Sequence, residues 1–277
     1  NRVVLQGVPV NAAEELQEQV FSKIDRVVLT SATLTTDKGF EFIQERIGFE
    51  PQEQSILDSP FDYSNQALIY ISGDLPEPSE EMEKYASAMA RRCGELVEIS
   101  QGRAFILFTS YALMDQVYDR LQHLSSKLSL LRQGEIPTGQ MIRRFKKTPA
   151  VIFGTNSFWQ GVDIPGDALK SVIITKLPFD VPSEPLTEAR IEDLRRRSID
   201  PFSHYQIPRA IIQMKQGFGR LIRKQSDTGV VSILDSRMIH RGYGKQFLDS
   251  LPSCKVVEDL NQVKEFFKLE TKAPVKN

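Results

Sequence analysis

Short runs of apolar, often β-branched residues alternate along the chain with longer stretches in which apolar positions recur every three or four residues. The short runs predict strands at residues 26–30, 67–71, 104–108, 128–131, 150–153, 171–175 and 230–234. The longer stretches predict helices at about residues 12–23, 37–47, 79–100, 111–124, 138–147, 186–197, 206–224, 238–249 and 258–268. Strands that alternate with helices predict an α/β fold, with a parallel sheet, right-handed crossovers and helices on both faces.

Ligands of such sheets bind beyond the carboxyl ends of the strands, so the residues after each strand are the first candidates for chemistry. Ser31 and Thr33 follow the first predicted strand, and Thr109 and Ser110 follow the strand at 104–108. Their hydroxyl groups have two possible roles. They either contact a phosphate or cap the helix that comes next.

The densest polar cluster follows the strand at 150–153. Its loop carries two glycines, short polar side chains, a carboxylate and the only tryptophan: Gly154, Thr155, Asn156, Trp159, Gly161 and Asp163. Glycine permits close backbone approach, and a long polar loop at a strand end more often binds a ligand than not. A purely structural loop closed by a turn at Pro165 is the alternative.

A third feature is the spacing Q-x-x-G-R-x-x-R formed by Gln216, Gly219, Arg220 and Arg223. On the helix predicted there, arginines three residues apart project from one face. The planar guanidinium suits bidentate phosphate contact, so the pair indicates phosphate handling. Asp235 and Arg237, after the strand at 230–234, either pair with each other or orient the two arginines.

The composition limits both the class of protein and the kinds of ligand site that are possible. A chain of 277 residues with 40% apolar and 26% charged residues is typical of a soluble globular protein of one large or two small domains. Its first residue is not Met, which indicates a piece of a longer chain. Two cysteines, Cys93 and Cys254, are too few for a four-thiolate metal site. The net charge is −1, but residues 209–245 hold eight basic against two acidic residues. Such a local basic stretch attracts phosphate.

Three features are missing from the sequence. It contains no G-x-x-x-x-G-K-[ST] phosphate-binding loop, and no Asp-Glu pair follows an apolar strand to hold Mg²⁺. It also lacks a run of about 20 apolar residues, so no membrane association is expected. The arginine pair therefore has no complete phosphate site in its own sequence.

Taken together, these segments resemble the C-terminal part of XPD/DinG-like superfamily 2 DNA helicases, and most closely the bacterial DinG type. Residues 30–34 (Thr-Ser-Ala-Thr-Leu) resemble motif III of that branch, 105–111 motif IV, 153–166 motif V and 216–223 motif VI. The Asp-x-Arg at 235–237 matches the pattern that follows motif VI. The order agrees over about residues 7–250, and the resemblance implies a RecA-like sheet, the second of two motor domains.

The resemblance also implies residue roles. Arg220 and Arg223 would reach the phosphates of ATP bound by the other RecA-like domain, with Gln216 beside the γ-phosphate. Further ATP contacts would come from Gly161, Asp163, Gly219 and Arg237. Single-stranded DNA would be contacted by Thr109, Ser110, Thr155 and Asn156, and Ser31 and Thr33 would couple the ATP site to DNA.

The implied organisation has three parts. Residues 1–35 carry motif III and are linked to the first RecA-like domain, 36–268 form the second RecA-like domain, and 269–277 form a flexible tail. ATP and Mg²⁺ would be bound mainly by the first domain, where any iron–sulfur cluster would also lie. The partners would be that domain and single-stranded DNA, in the cytoplasm at the nucleoid. Unwinding would run 5′→3′, and the isolated chain would be inactive as an ATPase.

Two other classes of protein remain open. One is a non-catalytic nucleic-acid-binding or interaction module that keeps the RecA-like fold. The other is a metabolic α/β enzyme that uses a nucleotide. The metabolic enzyme predicts a glycine-rich loop after the first strand, which the sequence lacks.

Overall fold

The computed structural model describes residues 7–36, 39–78, 81–159 and 168–272. Contacts divide the chain into two compact units: an accessory unit of residues 1–58 and 178–212, and a sheet unit of residues 59–177 and 213–277. The predicted assignment of residues 1–35 concerns a domain outside this sequence and stays a prediction.

The sheet unit contains a parallel sheet of seven described strands in the order β3-β4-β2-β5-β6-β1-β7. Its strands are β1 (Ala67–Ile71), β2 (Ala104–Leu107), β3 (Ser129–Arg132), β4 (Ala150–Gly154), β5 (Ser171–Ile174), β6 (Gly229–Ile233) and β7 (Lys255–Val257). Every neighbouring pair is parallel, from the register Ala67↔Gly229 of β1 and β6 to Ser129↔Ala150 of β3 and β4. The predicted RecA-like parallel sheet is therefore confirmed.

Helices connect these strands. The described α-helices are α1 (Ala13–Gln19), α2 (Glu41–Ile47), α3 (Tyr63–Gln66), α4 (Met82–Ile99), α5 (Tyr111–Arg120), α6 (Thr138–Phe145), α7 (Asn156–Trp159), α8 (Pro185–Arg196), α9 (Ile207–Phe218), α10 (Arg237–His240), α11 (Gly244–Asp249) and α12 (Leu260–Lys272). A π-helical turn, Phe202–Gln206, leads into α9. The last helix continues beyond residue 269, where the tail was predicted to begin.

Burial explains why the apolar runs form strands. Five strands, β1, β2, β4, β5 and β6, are buried along their whole length. Met89 and Val97 of α4, Val117 of α5 and Val263 of α12 belong to one core cluster with Ile106 of β2. A sheet covered in this way is a rigid support for the loops at its strand ends.

The predicted strand at 26–30 is wrong. These residues are not in a strand, and the side chains of Val28 and Leu29 are 88% and 43% exposed. A strand needs a neighbour to satisfy its backbone groups, and no described strand pairs with this segment. The segment has the apolar pattern of a strand, but among the described residues no strand lies beside it to pair with.

The predicted helix at 206–224 is too long, because α9 ends at Phe218. Gly219 N donates to the carbonyl of Lys215, and the next amides bond three residues back, from Arg220 to Gly217 and from Leu221 to Phe218. Glycine favours such helix ends. Arg220 therefore lies in the turn after the helix and Arg223 in the irregular segment that follows, and the predicted shared helix face is wrong.

The predicted helix at 238–249 is two helices, α10 and α11. Gly244 allows the break, since a Cβ at this position would lie 2.0 Å from the carbonyl oxygen of Met238. The sequence pattern also missed β7, a three-residue strand whose first two residues are exposed. The other six predicted strands after residue 60 agree with described strands to within one residue at each end.

Candidate phosphate-binding site

The loop after β2 carries Thr109 and Ser110. Ser110 is the N-cap of α5, and its Oγ accepts a hydrogen bond from Leu113 N at 3.4 Å. The capping role that the sequence left open is therefore present. Ser110 is nonetheless exposed at the start of a ten-residue helix, where free N–H groups favour anions. A DNA contact by Thr109 or Ser110 stays a prediction.

Gln133, the residue after β3, connects three strand-end loops. Its Oε1 accepts hydrogen bonds from Thr155 N at 2.7 Å and Thr155 Oγ1 at 3.2 Å, and its Nε2 donates to Tyr111 Oη at 2.9 Å. The Thr155 hydroxyl is thus held inside the protein, whereas Tyr111 is 56% exposed. Sequence reasoning missed Gln133, although its position directly after a strand could have identified it.

Trp159, which belongs to the polar loop after β4, is a core residue. Its side chain is fully buried, and its indole Nε1 donates to the carbonyl of Phe108 at 3.3 Å. A Cβ on Gly217 would lie 2.9 Å from the indole ring, so glycine at this position lets α9 pack against the tryptophan. The Trp159 side chain is therefore part of the core, whereas the turn at Pro165 lies outside the described residues, so both interpretations of the loop stay open. Asn156 lies on α7, and Gly161 and Asp163 lie outside the described residues.

Arg220 is positioned by the same loop. Its Nε and Nη2 donate to the carbonyl oxygen of Trp159 at 3.2 and 2.8 Å. The backbone of Arg223 is held instead by Asp227, whose Oδ2 accepts from Arg223 N at 3.0 Å and Lys224 N at 2.9 Å. Gln216, on α9, is half-buried.

Burial gives these two arginines unusual electrostatics. It lowers the pKa of Arg220, and it lowers the pKa of Arg223 against the opposing effect of Asp227. Both guanidinium groups stay charged at any physiological pH. A cation that has already lost part of its hydration interacts strongly with an anion. The pair is therefore chemically suited to phosphate oxygens.

Asp235 and Arg237 form the salt bridge that the sequence left open. Arg237 Nε donates to Asp235 Oδ1 at 2.8 Å, and its Nη2 donates to Oδ2 at 2.6 Å. The buried carboxylate also accepts from Leu177 N at 2.8 Å. Burial alone would lower the pKa of Arg237, but the hydrogen bonds and charge of Asp235 raise it. An ATP contact by Arg237 stays a prediction.

Ser31 and Thr33 lie in the accessory unit. Their hydroxyl oxygens are 3.4 Å apart, and Thr33 N donates to Ser31 Oγ at 3.2 Å. These local bonds order the turn after residue 30. A coupling role for the two residues stays a prediction.

The described residues offer neither a metal-binding cluster nor a membrane-spanning helix. Among the described residues, no three His, Cys, Asp or Glu side chains form a group that could hold a metal ion. Burial raises the pKa of Cys93, and it raises that of Cys254 to about 11, so both thiols stay protonated near neutrality. None of the described helices has the length and apolar character needed to cross a bilayer.

The parallel sheet and the helices that connect its strands define a RecA-like α/β domain. Residues 93–254, more than half of the chain, match the helicase C-terminal domain family, and the chain belongs to that family. This confirms the family predicted from the motifs.

Individual relatives agree with the family match. The chain is 42% identical over 259 residues to the ATP-dependent DNA helicase YoaA of Haemophilus influenzae, covering 93% of this chain and 40% of that protein. It is 36% identical to the ATP-dependent DNA helicase DinG of Photobacterium profundum, covering 92% and 38%. A solved XPD helicase shares the fold, with a TM-score of 0.58 at 19% identity over 83% of this chain and 42% of that one. The chain thus spans about 40% of the length of the curated relatives.

Proposed function

We propose that this chain is the C-terminal motor domain of an ATP-dependent DNA helicase and supplies arginine fingers and single-stranded DNA contacts. One observation carries the proposal. Two partly dehydrated arginines, Arg220 and Arg223, lie on a helicase-family domain whose sequence contains no phosphate-binding loop. They therefore act on phosphates held by another domain. The relatives named above as ATP-dependent DNA helicases support this role.

On the nucleotide side, ATP supplies the phosphoanhydride whose hydrolysis drives the motor. The residues present fit a phosphate group but not a complete nucleotide with its Mg²⁺. Arg220, oriented by the Trp159 carbonyl, and Arg223, whose backbone Asp227 holds, stabilise negative charge that develops on the phosphoryl oxygens. Gln216 orients groups beside the γ-phosphate, and Gly161, Asp163, Gly219 and Arg237 complete the contacts.

On the DNA side, we assign the contacts to the loops after β2 and β4. Ser110 and the N-terminus of α5 bind a backbone phosphate, together with Thr109 and Asn156. Thr155 takes part once the bond of its hydroxyl to Gln133 is exchanged for one to the phosphate. Ser31 and Thr33 couple these contacts to the nucleotide. We further propose 5′→3′ movement in the cytoplasm. Oligonucleotide substrates with a single 5′ or 3′ tail test that polarity, and unwinding from the 3′ tail would contradict it.

We expect the 277-residue chain alone to hydrolyse ATP no faster than background, with or without single-stranded DNA. It lacks a phosphate-binding Lys and Mg²⁺ carboxylates, so ATP cannot be held for attack. Phosphate release is measured with the chain alone and with the longer protein that contains it. Robust hydrolysis by the pure chain would refute the proposed division of labour. No ATPase in the longer protein would favour the non-catalytic module.

We expect the chain to bind oligo(dT) with an affinity that falls as salt rises, by a slope of about 0.7 per phosphate contact. Gln133→Ala should weaken this affinity about tenfold, because it releases both Tyr111 and Thr155. Tyr111→Phe removes only one of those bonds and should have a smaller effect. Fluorescence anisotropy measures both variants.

The matched control is Gln122→Ala, an exposed glutamine of the same unit. It should bind like the unmodified chain. An affinity that does not depend on salt, or equal losses for Gln122→Ala and Gln133→Ala, would count against the assigned DNA surface.

A further inference from the structure

Two arginines of the accessory unit stack on one tyrosine, and a third arginine lies close enough for its charge to act on the first. The guanidinium carbons of Arg46 and Arg190 lie 5.4 and 5.8 Å from the centre of the Tyr205 ring. Arg190 also donates from Nη1 to Tyr205 Oη at 3.2 Å and from Nε to the Val10 carbonyl at 3.1 Å. Arg209, in the first turn of α9, donates from Nε to Asp180 Oδ2 at 3.1 Å. We call Arg46, Arg190 and Arg209 the arginine cluster.

The negative charge at the cluster does not balance these cations. Asp180 is paired with Arg209, and Glu45, next to Arg46 in the chain, is paired with His204 at 2.7 Å. Within the described residues, no ion pair or hydrogen bond joins Arg46 to an acceptor. Three positive charges thus face one carboxylate that is already engaged.

The pKa of Arg46 is lowered, as expected where positive charges outnumber negative ones. Burial lowers its pKa first, the charge of Arg190 lowers it further, and Arg209 adds to this effect. Tyr205 and Asp180 oppose the shift without reversing it. Arg190 and Arg209 are therefore close enough to repel Arg46, whose guanidinium group is partly removed from water.

Packing accounts for only part of this arrangement. Stacking on an aromatic ring stabilises a cation, and Arg46 lies in the last turn of α2, where the helix dipole favours positive charge. Neither effect explains why further cations lie beside the first, since like charges repel. An anion bound between them would remove the repulsion.

We propose that Arg46, Arg190 and Arg209 form a phosphate-binding site. Planar guanidinium forks bind phosphate oxygens in a bidentate manner, and a group of several arginines suits an anion with more than one charge. The phosphate belongs either to a nucleic-acid backbone or to a free oligophosphate. The nucleic-acid source rests on the proposed function, whereas phosphate binding itself does not.

The first test measures thermal unfolding of the chain at low salt, with and without inorganic tripolyphosphate. Arg46→Gln should unfold at the same temperature as the unmodified chain or higher, because it relieves repulsion. Tripolyphosphate should raise the unfolding temperature of the unmodified chain but much less that of Arg46→Gln. Arg46→Lys, which keeps the charge but loses the fork, should respond in between.

The matched control is Arg196→Gln on α8. Arg196 is an exposed arginine of the same unit, 3.7 Å from Glu192. This variant removes the same charge outside the cluster and should respond to tripolyphosphate like the unmodified chain. If Arg46→Gln is strongly destabilised, or if both variants respond alike, the arginine cluster is structural and the proposal fails.

The second test measures oligo(dT) binding by anisotropy over a range of salt. Arg46→Gln should bind about tenfold more weakly and lose about one unit of salt slope, while Arg196→Gln stays unchanged. If only the tripolyphosphate response depends on Arg46, the natural ligand is a free oligophosphate. If even the unmodified chain does not bind oligo(dT), the proposed function fails. The effect of tripolyphosphate on the unfolding temperature then still shows whether the arginine cluster binds phosphate.

Discussion

Arg223→Ala, in the helicase to which we assign this chain, is expected to lower DNA-stimulated ATP hydrolysis by about 10³–10⁵-fold. The side chain stabilises charge that develops only as the phosphoryl group is transferred, so its loss raises the barrier of that step. Affinity for single-stranded DNA should change little, because the proposed DNA contacts lie in the loops after β2 and β4. Steady-state phosphate release and oligo(dT) anisotropy measure the two effects separately.

Two further variants sharpen this test. Lys224→Ala removes a neighbouring exposed cation while leaving its backbone bond to Asp227 possible, and it should keep near-normal turnover. Arg223→Lys keeps the charge but loses the bidentate fork, so it should recover only part of the rate. Near-normal hydrolysis by Arg223→Ala would remove Arg223 from the finger role. Equal losses in Arg223→Ala and Lys224→Ala would indicate a general charge effect.

Asp235→Ala is expected to lower the free energy of unfolding of the sheet unit by about 3–5 kcal/mol, as when one partner of a buried ion pair is removed. The carboxylate is completely buried, and it accepts from three nitrogens of Arg237 and from Leu177 N. Without it, a largely buried guanidinium and two backbone N–H groups lose this acceptor. Urea unfolding in the absence of nucleotide isolates this structural effect from any role of Arg237 at ATP.

Trp159 provides the signal for that measurement, because it is the only tryptophan and is buried in the sheet unit. The matched control is Arg241→Ala, which removes an exposed ion pair with Glu77 at 2.7 Å. Surface pairs contribute about 0–1 kcal/mol, so this variant should unfold almost like the unmodified chain. A loss below about 1 kcal/mol for Asp235→Ala would show that the buried pair does not stabilise the sheet.

Strands were predictable wherever the chain supplies both an apolar run and a covered position in the sheet. Residues 67–71 and 150–153 are continuous apolar runs, and both form buried strands. Residues 26–30 have a similar pattern but no described partner strand, and they lie exposed outside the sheet. Strand β7 is the opposite case. Its apolar pattern is short and weak, but the segment forms a strand because it pairs with β1.

For the candidate site too, some features could be predicted from the sequence and others could not. Spacing alone identified Gln216, Arg220 and Arg223, because a motif is a property of the chain. It could not locate the end of α9 at Gly219, nor the hydrogen bond by which Asp227 holds the backbone of Arg223. Nor could spacing show that Gln133 joins Tyr111 to Thr155, because these partners are 22 residues away on either side.

By itself, the amino-acid sequence determined the parallel α/β fold and the helicase family, and it singled out Arg220 and Arg223 as candidates for phosphate binding. These properties depend on local patterns of burial and on residue type. Only the tertiary structure decided that Asp235 neutralises Arg237, that Trp159 is a core residue, and that Arg46 and Arg190 stack on Tyr205 within range of the charge of Arg209. Contacts between distant segments depend on how the elements pack, and packing has no signature in the spacing of residues along one chain.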